Sequence, residues 1–409
     1  AERGLVALAG TELEFIVFQD TYEEAWTSGY RGLTPANQYN VDYSLQGTAR
    51  IEPLLRRIRN DMTGAGLVVE SAKGECNLGQ HEIAFKYDEA LVTADQHSIY
   101  KLGAKEIAAQ EGVSLTFMAK YDEREGNSCH IHLSVRSVAG DPVMAGDGSG
   151  AAAGFSPLME HWLAGQLACL EELSLLYAPN VNSYKRFAEG SFAPTAVAWG
   201  RDNRTCAMRV VGHGPSLRVE NRVPGGDVNP YLALAAVIAA GLHGVDAALP
   251  LEAELAGNAY VSDRARVPST LRDAAALFDQ SAVARSALGD DVVDHYVHAA
   301  HIEQAAFDPG NFVPGIHLAG FGDAMIAALF LGLVNAFIRP LFVLLTLPAT
   351  VLTLGLFIFV INGLLFWFTG SILKGFVVDG FWYGLAGAIL YSIFSWGLTS
   401  AAAQLMRKS

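Results

Sequence analysis

The charged residues of this chain stop almost completely after Gly310, and no other feature constrains its fold as strongly. The 409 residues include 28 lysines and arginines and 42 aspartates and glutamates. The charged residues that follow Gly310 are Asp323, Arg339, Lys374, Asp379, Arg407 and Lys408. An uncharged apolar run of about 18 or more residues can cross a bilayer as a helix. The charge distribution therefore predicts a water-soluble part followed by a transmembrane helical part.

The soluble part is strongly acidic. The whole chain has a net charge of −14, and the residues after Gly310 carry +2, so the part before them carries −16. Nucleic acid is not expected as a partner, because phosphate backbones bind basic surfaces. The four cysteines show no CxxC pairing, which indicates reduced thiols: they are Cys76, Cys129, Cys169 and Cys206. Both features suit a cytoplasmic enzyme that handles divalent cations.

Apolar periodicity predicts an α+β fold for the soluble part. Residues 12–18 alternate and then run apolar, which is typical of a buried strand. Asp227 to Val245 begin with Asn229-Pro230 and are apolar nearly all round, which favours a core helix over a membrane span. Further elements are predicted as follows: helices over 49–66, 89–112 and from Ser156-Pro157 to about Tyr177; two strands within 67–87; and strands at 113–119 and 129–136.

The last hundred residues are predicted to hold about three transmembrane helices. Neither Leu341 to Leu373 nor Gly380 to Met406 contains a charge, and Ala324 to Ile338 is a shorter candidate. The first run would be too long as one straight span. Pro348 and Gly355 are expected to break or tilt it. A buried soluble helical bundle is the alternative interpretation.

Charged residues recur at a spacing of two along the predicted strands. Glu12 and Glu14 fall on the same face of one strand, because side chains at i and i+2 of a strand point the same way. Burying two carboxylates together is costly unless a cation neutralises them. The other members of this pattern are His130 and His132, Glu220 and Arg222, and the turn-flanking Glu75 and Glu82. An exposed alternating strand face is the alternative for each pair taken alone.

This set of side chains points to phosphoryl-transfer chemistry. Carboxylates with one imidazole suit Mg²⁺ or Mn²⁺. Arg186, Arg204 and Arg209 add planar guanidinium groups, which neutralise the charge on transferring phosphoryl oxygens.

Six segments in order resemble the motifs of the glutamine synthetase catalytic domain over residues 1 to about 308. They are GTELEF (10–15), KGECNLGQHEI (73–83), AKYDEREGNSCHIHLS (119–134), NSYKRF (182–187), WGRDNRTCAMRV (199–210) and RVENRVPGGDVNPY (218–231). The resemblance implies a curved antiparallel sheet with flanking helices. It also implies a homo-oligomer in which a neighbouring subunit's β-grasp domain closes each site. That domain precedes the ELEF strand in the family, whereas here the strand starts at residue 12.

The resemblance also implies a role for each matching residue. One metal would be held by Glu14, Glu75 and Glu82, and a second by Glu12, His130 and Glu220. The substrate amino acid or amine would contact Arg186, Gly126, His132, Arg222 and Phe192. ATP would contact Arg204, Arg209, Arg218 and Ser134, and the catalytic residues would be Arg204, Arg222 and His132.

The implied reaction is ATP-dependent ligation of an amine to the γ-carboxylate of glutamate through a γ-glutamyl phosphate. Ammonia-using members carry a glutamate where this chain has Phe192. This apolar side chain suits an organic amine, so the chain resembles the γ-glutamylpolyamine or γ-glutamylamide synthetase branch. Glu189 lies nearby in sequence and is the alternative partner for ammonium.

Residues 309–409 resemble the bacterial four-span phage-holin superfamily. The matching segments are PGIHLAGF, LVNAFIRP, LTLP and GFWYGL. The resemblance implies a domain integral to the bacterial inner membrane, joined to a cytoplasmic catalytic part. The alternative function is therefore an integral membrane protein that carries an inactive enzyme fragment in front.

Overall fold

The computed structural model describes residues 3–39, 42–307, 316–318, 321–353, 356–373 and 376–406. Its contacts divide the chain into two compact units, Ala1–His301 and Ile302–Ser409. The four cysteines are free thiols, as predicted, and all of them except Cys76 are buried.

The first unit is built on a nine-stranded sheet. The strands are β1 (Leu5–Phe18), β2 (Val69–Gly74), β3 (Gln80–Phe85), β4 (Asp88–Glu89), β5 (Ser114–Thr116), β6 (Cys129–Ser137), β7 (Trp199–Arg201), β8 (Met208–Val211) and β9 (Arg218–Asn221). Their order across the sheet is β2-β3-β1-β6-β9-β8-β7, and β4 and β5 also pair with β1. β1 is central, so it pairs on both sides.

The predicted fold class is confirmed, with one difference in the sheet. The β1 pairs and the β2·β3, β6·β9 and β8·β9 pairs are antiparallel, whereas β7 and β8 run parallel. β1 begins earlier than predicted, at Leu5, and its apolar first half is mostly half-buried. Its second half is buried from Leu13 to Phe18. This half places the Glu14 carboxylate in the interior of the sheet.

Helices cover the sheet and pack on one another. They are α1 (Tyr22–Thr27), α2 (Leu45–Ala49), α3 (Glu52–Gly64), α4 (Ala90–Gln110), α5 (Pro157–Ala168), α6 (Ser174–Tyr177), α7 (Pro230–Asp246), α8 (Leu271–Asp279), α9 (Ala282–Leu288) and α10 (Asp290–Phe307). Ser156 caps α5 by accepting from the Met159 amide, and Pro157 occupies its first turn. The helix predicted to reach Tyr177 instead ends at Ala168 and resumes as α6.

The predicted core helix, α7, packs closely against α5. Glycines allow the approach: a Cβ on Gly165 would lie 2.2 Å from the Ala240 carbonyl, and one on Gly244 would lie 2.0 Å from the His161 carbonyl. The contact with α5 buries apolar residues of α7 in the core of the first unit. Its apolar surface is covered by protein.

The second unit is mainly helical. Its elements are β10 (Ile316–Leu318), α11 (Phe321–Leu333), a π-helical turn (Val334–Ile338), α12 (Arg339–Leu345), α13 (Leu347–Leu352), α14 (Phe357–Ile372), β11 (Phe376–Val378) and α15 (Phe381–Met406). β10 and β11 form an antiparallel ribbon that the sequence did not predict.

Among the described residues, one helix is long and apolar enough to cross a membrane. It runs continuously from Ala324 to Leu345, with a mean hydropathy of 2.1. Phe357–Ile372 is a shorter apolar helix, and so is Phe381–Ile393, the first part of α15, over which the structure describes every side chain. The expected break near Pro348 occurs at Thr346, between α12 and α13. Gly355 lies outside the described residues.

Candidate active site

The strand register brings the predicted metal ligands together. Glu14 of β1 is directly opposite Glu82 of β3. On the other side of β1, Glu12 is opposite His130 of β6. His132 of β6 is in turn opposite Glu220 of β9. Directly opposite residues of antiparallel strands have their side chains on the same face, so carboxylates and imidazoles from four strands share one surface.

The first group consists of Glu14, Glu75 and Glu82. One carboxylate oxygen of each lies within 4.8 Å of the other two. Burial and the Glu82 carboxylate raise the pKa of Glu14 to about 7. Burial raises the pKa of Glu75 and of Glu82 to about 8, and neighbouring carboxylates, including Glu14 beside Glu75, add to the effect. The ionised forms therefore repel one another and are under-solvated.

The second group consists of Glu12, Glu220 and His132, again with one ligand atom each within 4.8 Å. His130 reaches the same carboxylates, with its Nδ1 3.3 Å from Glu12 Oε2 and 3.5 Å from Glu220 Oε1. Burial would raise the pKa of Glu12, but hydrogen bonds with His130 and His132 outweigh it and hold that pKa below the ordinary range. Burial, with the charge of Arg222, lowers the pKa of His130 to about 4, which leaves a neutral ring at pH 7.

Both groups fit divalent metal ions. Carboxylate oxygens with a neutral imidazole are the donors that Mg²⁺ or Mn²⁺ accepts. Two buried atoms, Glu82 Oε1 and His130 Nε2, have no hydrogen-bond partner among the described residues. Such atoms are rare in folded proteins and indicate an interaction still to be made. A cation in the first group would relieve the mutual repulsion of its carboxylates.

Two cavities meet at Glu12. The first, here called the carboxylate cavity, has a volume of about 370 Å³ and is lined by residues including Glu14, Glu75, Glu82, Phe192, Arg204 and Arg222. The second, here called the Ser134 cavity, has a volume of about 440 Å³ and is lined by residues including Tyr87, His132, Ser134, Arg136 and Arg218. Glu12 lines both. Two compartments that share a carboxylate would let two substrates meet there.

Gly126 lines the carboxylate cavity, whereas Arg186 is buried against Gly126 and is not among the described residues that line it. Arg186 is only 1% exposed, and its guanidinium donates to the Val223 carbonyl at 3.0 Å and to Ser128 Oγ at 2.9 Å. Gly126 lies against it, since a Cβ there would be 2.7 Å from Arg186 Cγ and 2.2 Å from the Ala119 carbonyl oxygen. Only glycine leaves Arg186 in this position.

Arg222 is buried beside the second group of ligands. Its guanidinium pairs with Glu220 and its Nε donates to the Arg204 carbonyl at 3.1 Å. The Arg204 side chain itself is exposed and lines the carboxylate cavity. The structure therefore holds Arg222 firmly and presents Arg204 to the cavity.

The predicted ATP-contacting residues are divided between two places. Ser134 and Arg218 line the Ser134 cavity, and Arg218 Nε donates to His132 Nδ1 at 3.1 Å. Arg209 instead pairs with Glu220 at 2.9 Å and with Asp202 at 2.7 Å. Among the described residues, Arg136 lines the Ser134 cavity and Arg209 does not.

Phe192 lines the carboxylate cavity in a strained conformation. Its φ is 60°, and its side chain is 54% exposed. Tyr43, which sequence reasoning missed, lines the same cavity with a φ of 52°. Non-glycine residues rarely adopt such angles, and they cluster at functional sites. Both aromatic rings are therefore held beside the metal ligands at a cost in backbone energy.

Lys73 is a second functional residue that sequence reasoning missed. Its Nζ lies 3.2 Å from Glu82 Oε1 and 3.6 Å from Glu75 Oε1. Burial would lower the pKa of Lys73, but Glu82 and Glu75 outweigh it and raise that pKa. The spacing of two between Lys73 and Glu75 was a signal that could have found it. Gln80 was missed as well, and its Nε2 donates to Glu14 Oε2 at 3.2 Å.

Comparison with known proteins places this arrangement in a family. Residues 1–310 match the catalytic domain of glutamine synthetase, and residues 307–397 match the mycobacterial four-span phage holins of superfamily IV. A γ-glutamylethanolamide synthetase of Streptomyces coelicolor is 68% identical over 308 residues, which cover 75% of this chain and 66% of that protein. A glutamate–isopropylamine ligase of a Pseudomonas species is 38% identical over 298 residues, which cover 72% and 64%.

Solved structures agree with these matches. A GmaS complex with ADP has a TM-score of 0.68 and 29% identity, covering 75% of this chain and 71% of that one. The chain spans about two thirds of the length of the Streptomyces synthetase and slightly less of the Pseudomonas ligase. Since the catalytic-domain match covers well over half of the sequence, the chain belongs to the glutamine synthetase family through its first 310 residues.

Proposed function

We propose that residues 1–308 form a catalytic domain that uses ATP to ligate an amine to the γ-carboxylate of glutamate. The observation that carries this proposal is the pair of ligand groups at the junction of two cavities, with Glu12 common to both. A nucleotide in one cavity and an amino acid in the other would meet at that carboxylate. The names of the relatives, an ethanolamide synthetase and an isopropylamine ligase, support the same reaction class.

The two ligand groups would each hold Mg²⁺ or Mn²⁺. Glu14, Glu75 and Glu82 would hold the first ion. Glu12, Glu220 and His130 would hold the second, and His132 is near enough to the two carboxylates to contribute. When bound, such ions neutralise the oxygens of a transferring phosphoryl group.

The protein's own side chains would bind and orient the substrates. Arg186, fixed by two neutral acceptors, keeps its positive charge for the α-carboxylate of glutamate. Arg218 and Ser134 would contact ATP in the Ser134 cavity, with Arg209 held nearby through Glu220. Arg204, exposed in the carboxylate cavity, would stabilise the charge that develops as the γ-carboxylate attacks the terminal phosphate.

The acceptor would be an organic amine. Attack of its nitrogen on the γ-glutamyl phosphate forms the amide and releases phosphate. Phe192 and Tyr43 give the carboxylate cavity two aromatic walls. Such walls would pack against the carbon chain of a small primary amine, which ammonia lacks.

Residues 309–409 would form a holin-like membrane domain, with about three spanning helices in the bacterial inner membrane and the catalytic part in the cytoplasm. The helix from Ala324 to Leu345 and the match over 307–397 support it. If the family assembly is retained, the catalytic domain would form a homo-oligomer. The second candidate function, a holin-like membrane protein with an inactive enzyme fragment, rests on the same match.

The test uses the full chain purified in detergent. ADP release would be measured with glutamate, ATP and Mg²⁺, with ethanolamine, isopropylamine, putrescine or ammonia as acceptor, and the amide identified by mass spectrometry. We expect amine-dependent ADP release that Glu14→Gln abolishes and Glu106→Gln, an exposed change on α4, leaves intact. Stable protein in the membrane fraction with no ADP release for any acceptor would favour the second candidate.

A further inference from the structure

Lys73 places a fixed positive charge in the first group of metal ligands. The register sets Lys73 of β2 opposite Glu82 of β3, which is opposite Glu14 of β1. These three side chains therefore follow one another across the sheet on a single face. Glu75 lies two residues after Lys73 and joins them at the end of β2. A lysine at this register position therefore lies beside the carboxylates of Glu75 and Glu82.

The contact between Lys73 and Glu82 is one of charge more than of hydrogen bonding. Nζ lies 3.2 Å from Glu82 Oε1, yet that oxygen has no hydrogen-bond partner of acceptable geometry among the described residues. Glu82 is almost fully buried, whereas Lys73 keeps 29% of its side chain exposed. The Lys73 ammonium thus attracts the Glu82 carboxylate without making a well-formed hydrogen bond to it. Glu82 Oε1 therefore stays available to another cation.

Lys73 already supplies positive charge to this group. Glu14, Glu75 and Glu82 carry three negative charges when ionised, and the Lys73 ammonium offsets one of them. Less negative charge therefore remains to attract a divalent ion. Among the described residues, Lys73 is the cation within ion-pair distance of Glu75 and Glu82.

Lys73 also has a second partner close by. Its Nζ lies 5.6 Å from the centre of the Tyr43 ring, within the range of a cation–π interaction. The Tyr43 amide donates to the Gly74 carbonyl at 3.1 Å, which ties Tyr43 to the end of β2. A displaced ammonium would therefore find an aromatic face in the same cavity.

We propose that Lys73 is a tethered counter-ion that regulates the first metal site. It offsets negative charge on Glu75 and Glu82 as these groups ionise, opposes the divalent ion by charge repulsion, and turns to Tyr43 when the ion is present. The affinity of the site for metal is thereby kept low enough for exchange. The inference rests on the metal-binding part of the proposed function and does not require that any amine be ligated.

The test titrates the full chain, kept in detergent, with Mg²⁺ and measures the affinity from the heat of binding in a calorimeter. Lys73→Met should tighten binding at the first site by about tenfold or more, because a unit charge a few ångströms from the ion costs at least that much at an effective dielectric constant of about 20. Lys73→Arg should bind as the native chain does. Lys86→Met, an exposed lysine just beyond β3, is the matched control and should change nothing. Lys73→Gln replaces the Met variant if the latter does not fold.

Two further measurements separate regulation from a merely structural ion pair. In EDTA, Lys73→Met should melt at a lower temperature than the native chain, and in saturating Mg²⁺ the two should melt alike. Tyr43→Leu should weaken Mg²⁺ binding by about two- to fivefold in the native background. It should have no effect in the Lys73→Met background, because a coupled pair is non-additive.

Different results overturn different claims. Equal Mg²⁺ affinity in Lys73→Met and Lys86→Met would overturn the counter-ion inference and leave the proposed function untouched. Weaker binding in Lys73→Met would also overturn it, since Lys73 would then organise the ligands. A native chain that binds no Mg²⁺ would instead overturn the metal sites themselves.

Discussion

Metal binding to the first ligand group should release protons in a way that depends steeply on pH. In the metal-free chain the pKa of Glu14 is raised to about 7, and those of Glu75 and Glu82 to about 8, mainly by burial. A cation requires all three in their ionised form, so whatever protons they hold must leave when it binds. Titration across these values gives about two protons released per chain near pH 7 and close to none near pH 9.

Glu12 and His130 should add nothing to this release. Glu12 is already ionised, because its pKa is held below the ordinary range by His130 and His132. His130, with a pKa of about 4, is already neutral near pH 7. The change in proton count between pH 7 and pH 9 therefore reports mainly on Glu14, Glu75 and Glu82.

The same raised pKa values fix the sign of the pH dependence of stability. The folded metal-free chain holds protons on these groups that the unfolded chain loses near the ordinary carboxyl pKa. Their contribution to stability is therefore present below about pH 4 and is lost as the pH rises through about 8. The increase in melting temperature on adding Mg²⁺ should accordingly be larger at pH 9 than at pH 6.

Calorimetry in two buffers of different ionisation enthalpy measures the proton count directly. Glu75→Gln removes one titrating carboxylate and should reduce the release near pH 7 by about one proton. Glu106→Gln, an exposed change, should leave it intact. Equal release at pH 7 and pH 9, or none at pH 7, would refute the reasoning.

Three further substitutions test the rest of the site. Gly126→Ala should raise the KM for glutamate more than it lowers kcat, since its Cβ would press on Arg186; an unchanged KM in steady-state assays would contradict the placement of the α-carboxylate. Phe192→Glu should increase the use of ammonia relative to ethanolamine while Phe192→Leu does not, and equal ratios in both variants would remove the support for an aromatic amine wall. Asp227→Ala should lower the free energy of unfolding by about 1–3 kcal/mol, because Asp227 accepts from Ser183 Oγ at 2.6 Å; a change below about 0.5 kcal/mol in denaturant melts would be too small for that hydrogen bond.

Local patterns in the sequence were sufficient for many elements. Ser156-Pro157 predicted the start of α5 because capping depends on neighbouring residues alone. The break after Ala168 was not predictable from the same pattern. Apolar residues continue at helical spacing beyond it, at Leu170, Leu173 and Leu176, so periodicity shows no end. The π-helical turn at Val334–Ile338 likewise has no signal in the apolar run that contains it.

By itself the sequence determined that Glu12 and Glu14 share a face, because the two-residue period of a strand is local. It also determined that charge ends near Gly310 and that six family motifs follow in order. Only the tertiary structure decided that Glu14 meets Glu82, that Lys73 joins them, and that Arg209 turns to Glu220. Those contacts depend on which strands pair and in which register, and register is set by packing among segments far apart in the chain.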